Sequence, residues 1–311
     1  NKALLVIELY IKIRYINEHR KEDKEPKEIN QGYLTMFSQK KIGLALGEGG
    51  ARGLVHIGIL QVFEENNIDV DIIAGTSIGA IIGAMYCEKK DPFEVETRFR
   101  EFIKSDLYED VGFLNLEKRG DRQPVSWDQI YSKVKGTIAL TLAQTKLSIF
   151  DIKKFEKVID FLIRTETFDQ CKIPLVVVGT DLRYGRDIPL CIGDLKRSVM
   201  ASASVPGFFP PVEINNRLLS DGAIACPVPV KYAKLRDDTT TIAVAVPPKL
   251  KPIQDIENAV ELLIRAEEIN MYYLTCEMIK EADISIIPDI GDIQWNEFHH
   301  IDNLIEIGRE A

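Results

Sequence analysis

No apolar stretch in this chain reaches the roughly 18 residues that a membrane-spanning helix needs. Cysteine is scarce. Cys87, Cys171, Cys191, Cys226 and Cys276 are odd in number, widely spaced and without a Cys-x-x-Cys pair. That pattern argues against a disulfide framework and against a thiolate zinc site, and favours small buried thiols in a reducing compartment. Positive charge is in deficit, with 39 Lys and Arg against 48 Asp and Glu, a net charge of −9. Without a long basic run, nucleic acid is not expected as a partner. Histidine is limited to His19, His56, His299 and His300. No calcium loop is visible, and neither a metal nor an organic cofactor is expected.

What is present is a globular composition, 45% hydrophobic and 28% charged over 311 residues. The chain opens on Asn1 rather than Met, so a fragment or processed form with a targeting segment outside it is expected. Residues 1–30 read as an accessory helix followed by a charged linker. Leu5, Leu9, Ile13 and Ile16 have near-helical spacing, and Ala3, Leu4, Val6, Ile7 and Ile11 widen the stripe. Such a helix can dock on the main domain, lie on a membrane or form a homodimer contact. From Lys41 the pattern becomes short apolar runs separated by helices, and residues 41–311 read as one domain. Strands are expected at 42–46, 70–74, 174–180, 240–246 and 283–287. Helices are expected at 54–65, 78–87, 152–165, 194–203 and 254–281. That alternation indicates a mostly parallel sheet covered on both faces, an α/β fold. Segment 91–170 has few strand signals, looks helical or irregular, and reads as a candidate lid over a site.

Three elements carry chemistry. Gly75-Thr76-Ser77-Ile78-Gly79 fits G-x-S-x-G between an expected strand and an expected helix. In that context the turn lifts a serine off the sheet as a nucleophile, and small neighbours relieve the crowding. Gly47-Glu48-Gly49-Gly50-Ala51-Arg52-Gly53 also joins a strand to a helix. Its glycines let N–H groups converge where the helix dipole favours negative charge, as a phosphate cradle or an oxyanion hole. No G-K-[ST] ends it, so it is not a nucleotide P-loop. A dinucleotide site lacks its acidic residue, because Asp69 and Asp71 precede their strand. An oxyanion hole is the better reading beside a serine elbow. Third, residues 212–220 read as a hairpin turning at Asn215-Asn216. It delivers Asp221-Gly222-Ala223 at a strand end, where a carboxylate can face a site.

A serine nucleophile needs a base. His19 lies in the linker, His299 and His300 open a final helix, and His56 reads as a packed helix residue. A carboxylate is the remaining option, provided Asp221 comes within hydrogen-bond reach of Ser77.

In order along the chain, G-G-x-R-G, G-T-S-x-G and D-G-A resemble the patatin-like phospholipase family, most closely its compact bacterial members. Arg197-Ser198-Val199-Met200-Ala201-Ser202-Ala203-Ser204-Val205-Pro206-Gly207-Phe208-Phe209-Pro210-Pro211 and Gly179-Thr180-Asp181-Leu182 resemble further blocks of it. The resemblance covers about residues 41–290. It implies a three-layer α/β/α fold and hydrolysis of lipid or phospholipid acyl esters. It also implies Ser77 as nucleophile, Asp221 as base and an oxyanion hole from the N–H groups of Gly49, Gly50 and Ala51. The chain departs from the family at Glu48, where a third glycine is usual. A carboxylate beside an oxyanion opposes catalysis, so Glu48 is expected to point away. Arg52 is a cation at a helix N-terminus, against the dipole, and reads as a salt-bridge partner or a head-group ligand. The same residues would serve an acyltransferase, and a non-catalytic lipid-binding member is a third reading. A cytoplasmic or peripheral-membrane location is expected on these grounds.

Overall fold

The computed structural model describes residues 41–111, 148, 150–253, 255–256 and 259–311. The N-terminal accessory helix expected in residues 1–30 lies outside the described residues.

The chain enters at β1 (Ile42–Leu46) and passes through a 3-10 turn (Gly50–Leu54) into α1 (Val55–Glu65). It continues through β2 (Ile72–Thr76) into α2 (Ile78–Lys89), α3 (Pro92–Ile103) and α4 (Asp106–Val111). After α5 (Ile152–Leu162) come β3 (Leu175–Asp181), β4 (Arg186–Leu190) and α6 (Leu195–Ser202). The hairpin β5 (Val212–Ile214) and β6 (Arg217–Asp221) leads to α7 (Val230–Ala233) and β7 (Thr240–Val244). The last elements are α8 (Ala259–Ile279), β8 (Ile284–Ile286) and α9 (Ile301–Glu310).

One eight-stranded sheet has the order β5-β6-β3-β2-β1-β7-β8, with β4 also on β3. Pairs β3–β2, β2–β1, β1–β7 and β7–β8 are parallel, whereas β4, β5 and β6 add antiparallel pairings. The central strands are buried along their length, as expected of parallel strands covered on both sides. Side chains alternate between the two faces. Leu44, Leu46, Ile73 and Val177 join the larger core with α1, α2 and α9. Ala45, Ile72, Ala74, Val176 and Val178 face Val230, Ala233 and Ile279 on the other side. The result is the three-layer α/β/α arrangement expected from the sequence.

The differences are local. Strand β4 was not anticipated, because only Ile188 of its five residues is buried and its apolar signal is weak. The described residues of segment 91–170 pack into the core more closely than the lid reading expects. Val95, Phe99, Phe102, Tyr108, Phe155, Val158, Ile159 and Leu162 are all core residues, and Phe155 stacks on Phe209 with ring centroids 4.1 Å apart. The stretch 112–147 lies outside the described residues.

Register fixes the level of the site. Thr76 of β2 pairs with Val178 of β3, and Gly179 of β3 pairs with Asp221 of β6. Ser77 and Asp221 therefore stand on either side of β3 at the same height, where β2 ends.

Candidate active site

Ser77 sits between β2 and α2 with φ 55 and ψ −121. A positive φ at a residue with a Cβ is strained, and it persists only where the surroundings hold it. They do so from several directions. The Ser77 N–H donates to Ser202 Oγ at 3.0 Å, and the Ser202 hydroxyl donates to the Val178 carbonyl at 2.6 Å. The Ser77 carbonyl accepts from the N–H groups of Ala80 and Ile81, which starts α2. Packing then demands glycine at the flank. A Cβ on Gly79 would lie 2.2 Å from the Leu46 carbonyl oxygen, so the turn can rest on the end of β1 only as glycine.

The Ser77 hydroxyl donates to Asp221 Oδ2 at 2.8 Å. The other carboxylate oxygen, Oδ1, accepts from the Ala223 N–H at 2.8 Å, and the Asp221 N–H donates to the Ser204 carbonyl. Both side chains are buried, at 8% and 3% exposure. Burial pushes the Asp221 carboxyl up to about 7, against the two hydrogen bonds it accepts and with help from the negative charge of Glu48. A carboxylate with that proton affinity can take a hydroxyl proton near neutral pH.

The glycine loop is held by its own backbone. The N–H groups of Gly47 and Glu48 donate to the carbonyls of Val244 and Pro227 at 2.9 and 3.0 Å. Ala51 differs from the reading of the sequence. Its N–H donates to the Trp295 carbonyl at 2.6 Å and is already engaged. Trp295 lies far along the chain, so nothing near the glycines announced that partner. Among the described residues, no acceptor takes the N–H of Gly49 or Gly50. Gly50 has φ 58, and a Cβ there would sit 2.4 Å from the Trp295 oxygen.

Arg52 braces the same loop. Its Nε donates to the Gly49 carbonyl at 3.0 Å, and its Nη2 lies 4.0 Å from Glu48 Oε2. Burial raises the Glu48 carboxyl above its ordinary range despite Arg52. Glu48 is thus paired with a cation, yet its field still reaches Asp221.

Among the described residues, the hydrogen bonds of Ser77 and Asp221 involve no histidine. His56 Nε2 is 2.9 Å from the Gly47 carbonyl, and burial lowers the ring to about 4, so it is neutral and donates there. Its role is to steady the loop. Glu297, His299 and His300 could offer ligand atoms to a metal within 4.8 Å of one another, but none belongs to the Ser77–Asp221 pair. Ser202, Ser204 and Trp295 are the positioning residues that the sequence did not single out by their chemistry. The first two fall inside the 197–211 block, whose likeness was noted without a physical role.

A hydroxyl hydrogen-bonded to a buried carboxylate is an arrangement that nucleophilic catalysis can use. Comparison with known proteins gives the family. The family model for patatin-like phospholipase matches residues 44–234. This chain is a member of the patatin-like phospholipase family. An uncharacterized NTE family protein of Mycobacterium tuberculosis is 31% identical over 212 residues, covering 67% of this chain and 50% of the relative. Patatin-like phospholipase domain-containing protein 6 of Homo sapiens is 28% identical over 256 residues, covering 81% of this chain and 16% of that protein. The chain thus spans about half the length of the mycobacterial relative and a small part of the human one. Among solved structures, VipD from Legionella pneumophila aligns over 94% of this chain and 72% of its own, with 13% identity and a TM-score of 0.41. The patatin-like match contains the glycine loop, the serine elbow and Asp221, and stops before Trp295.

Proposed function

We propose that this patatin-like domain is a serine hydrolase of lipid acyl esters, of the phospholipase A or lysophospholipase type, working through a Ser77–Asp221 dyad. The 2.8 Å hydrogen bond from the Ser77 hydroxyl to the buried Asp221 carboxylate carries the reading. In this mechanism Asp221 takes the hydroxyl proton as Ser77 Oγ attacks the ester carbonyl carbon. The N–H groups of Gly49 and Gly50 receive the oxyanion, each worth about 3 kcal/mol of transition-state stabilisation. Collapse of the tetrahedral intermediate expels the alcohol, which takes up the proton from Asp221. Water then attacks the acyl-enzyme with Asp221 again as base, and the fatty acid leaves. Arg52 in this reading shapes the loop instead of binding the head group, because its Nε is spent on the Gly49 carbonyl.

The test is hydrolysis of a short soluble acyl ester by the purified protein. Ser77→Ala and Asp221→Asn should each lower kcat by about a thousandfold or more with the circular dichroism spectrum unchanged. Full turnover by either variant would refute the dyad. Repeating the assay with an acceptor alcohol detects transfer in place of hydrolysis, since a new ester would then accumulate.

A further inference from the structure

Helix α8 is built differently from the other helices around the sheet. It has 21 residues and spans about 31 Å, whereas the five residues of β7 span about 17 Å. Strands β7 and β8 are parallel, so α8 must carry the chain from the C-terminal edge of the sheet back to the opposite edge. Its last turns pack, with Thr275 and Ile279 buried. From Glu261 to Leu274 no residue is buried. The first half of α8 therefore stands out at the edge that carries Ser77 and the glycine loop.

That projecting half is apolar on its outer face. Leu262, Ala266, Ile269 and Tyr273 follow one another at spacings of four, three and four, one stripe on a helix. All four are exposed, and Leu262, Leu263 and Tyr273 are 54%, 70% and 62% accessible. Ile253 and Ile256, just ahead of the helix, are exposed as well. A soluble surface has no use for such a patch, which marks a contact with another phase or molecule.

The patch is tied to the catalytic rim by the contacts behind it. Arg265 donates to the Lys251 carbonyl at 2.8 Å, and Lys251 pairs with Asp292 at 2.6 Å. Asp292 is three residues before Trp295, whose carbonyl holds Ala51. On the inner face of α8, Glu268 acts electrostatically on Arg52 of the glycine loop.

Charge indicates which surface fits. On the projecting half Glu267 is exposed and no Lys or Arg is, and the protein as a whole has a net charge of −9. An anionic bilayer would repel this face, and a zwitterionic one would not.

From these observations we infer that the first half of α8, with Ile253 and Ile256, is an interfacial blade that docks the catalytic edge onto a zwitterionic lipid surface. The inference rests on the lipid-ester reading above and adds the surface that holds the substrate. The blade does not span the bilayer; among the described residues no helix is long and apolar enough to cross one. It lays an apolar stripe at the head-group boundary.

Cosedimentation with phosphatidylcholine vesicles tests it, using the wild type and the double variant Leu262→Glu/Ile269→Glu. Both positions are exposed, and hydrolysis of a short soluble ester should stay at the wild-type rate. Vesicle binding should fall about tenfold, hydrolysis of vesicle phosphatidylcholine should fall with it, and phosphatidylglycerol in the vesicles should weaken wild-type binding. Wild type that ignores phosphatidylcholine vesicles, or a double variant that binds like wild type, overturns the inference. So does light scattering that shows a dimer dissociating in the variant while vesicle binding is unchanged, since the stripe would then join two copies. Loss of soluble-ester activity in wild type would count against the hydrolase reading alone, because vesicle binding is read separately.

Discussion

At the scale of single residues, the proposed mechanism turns on the protonation of Asp221. Its carboxyl is pushed up to about 7 by burial. Only the ionised form can accept the Ser77 proton, so kcat for a soluble ester should rise with pH through an apparent value near 7 and level off above it. The same shift has a cost in stability. A carboxyl whose folded pKa lies above its unfolded value binds its proton more tightly when folded. Its contribution to stability is full below about 4 and is lost as pH rises through about 7. Asp221→Asn carries no such charge. It should therefore be inactive yet more stable than wild type at pH 8, by about 1–3 kcal/mol, with the gain vanishing near pH 4. Thermal unfolding of both proteins at the two pH values measures this. Equal Tm differences at both would mean that the carboxyl is not desolvated. Ser77 and Asp221 were legible in the sequence because each is announced by its own turn, glycines around one and an Asp-Gly step after a hairpin for the other. Ser202, Ser204 and Trp295 were not. They act through a hydroxyl acceptor or a main-chain carbonyl, and those roles arise only when distant segments meet. Ala51 was misread for the same reason, since its partner Trp295 is supplied by the fold.

At the scale of elements, the serine turn depends on how α2 is anchored at its far end. Glu88, in the last turn of α2, pairs with Arg98 of α3 at 2.7 Å, and both side chains are 4% exposed. Glu88 Oε1 also accepts from the N–H groups of Arg164 and Thr165, and Arg98 donates to the Leu162 carbonyl at the end of α5. One buried ion pair thus joins three helices behind the elbow. Removing one partner leaves an uncompensated charge in the core. Arg98→Met should lower stability by about 3–5 kcal/mol in denaturant titration. Activity per folded molecule should survive, since neither residue touches the site. A variant as stable as wild type would show that the pair is dispensable. Most elements were readable beforehand. The central strands are uninterrupted apolar runs, and Asn215 and Asn216, at φ 49 and 61, form the hairpin turn that their identity suggested. Helix α3 was less plain, although its signals were there. Asp91 caps it by accepting the Phe93 and Glu94 N–H groups, Pro92 begins it, and Val95, Phe99 and Phe102 share its buried face. Their spacing of four and three was helical, but the polar stretches around them made the segment look peripheral.

At the scale of the whole molecule, the sheet does the assembling. The strand β2 that ends in the serine turn and the strand β6 that ends in Asp221 are not neighbours. They are brought level by β3, which pairs with one in parallel and the other antiparallel. The sequence showed the motifs in order but not this pairing, because antiparallel addition to a parallel sheet leaves no local mark. The family match supports a lipid acyl hydrolase in general, and the proposed docking of α8 adds a route to lipid. The most direct measurement is covalent labelling with a fluorophosphonate, which traps an activated serine, followed by peptide mass spectrometry. The account predicts one adduct per chain, on Ser77. It should be absent in Ser77→Ala and strongly slowed in Asp221→Asn, and in wild type its rate should fall as pH drops through about 7. An adduct on another residue, or labelling of Ser77 at an undiminished rate without the Asp221 carboxylate, would contradict it.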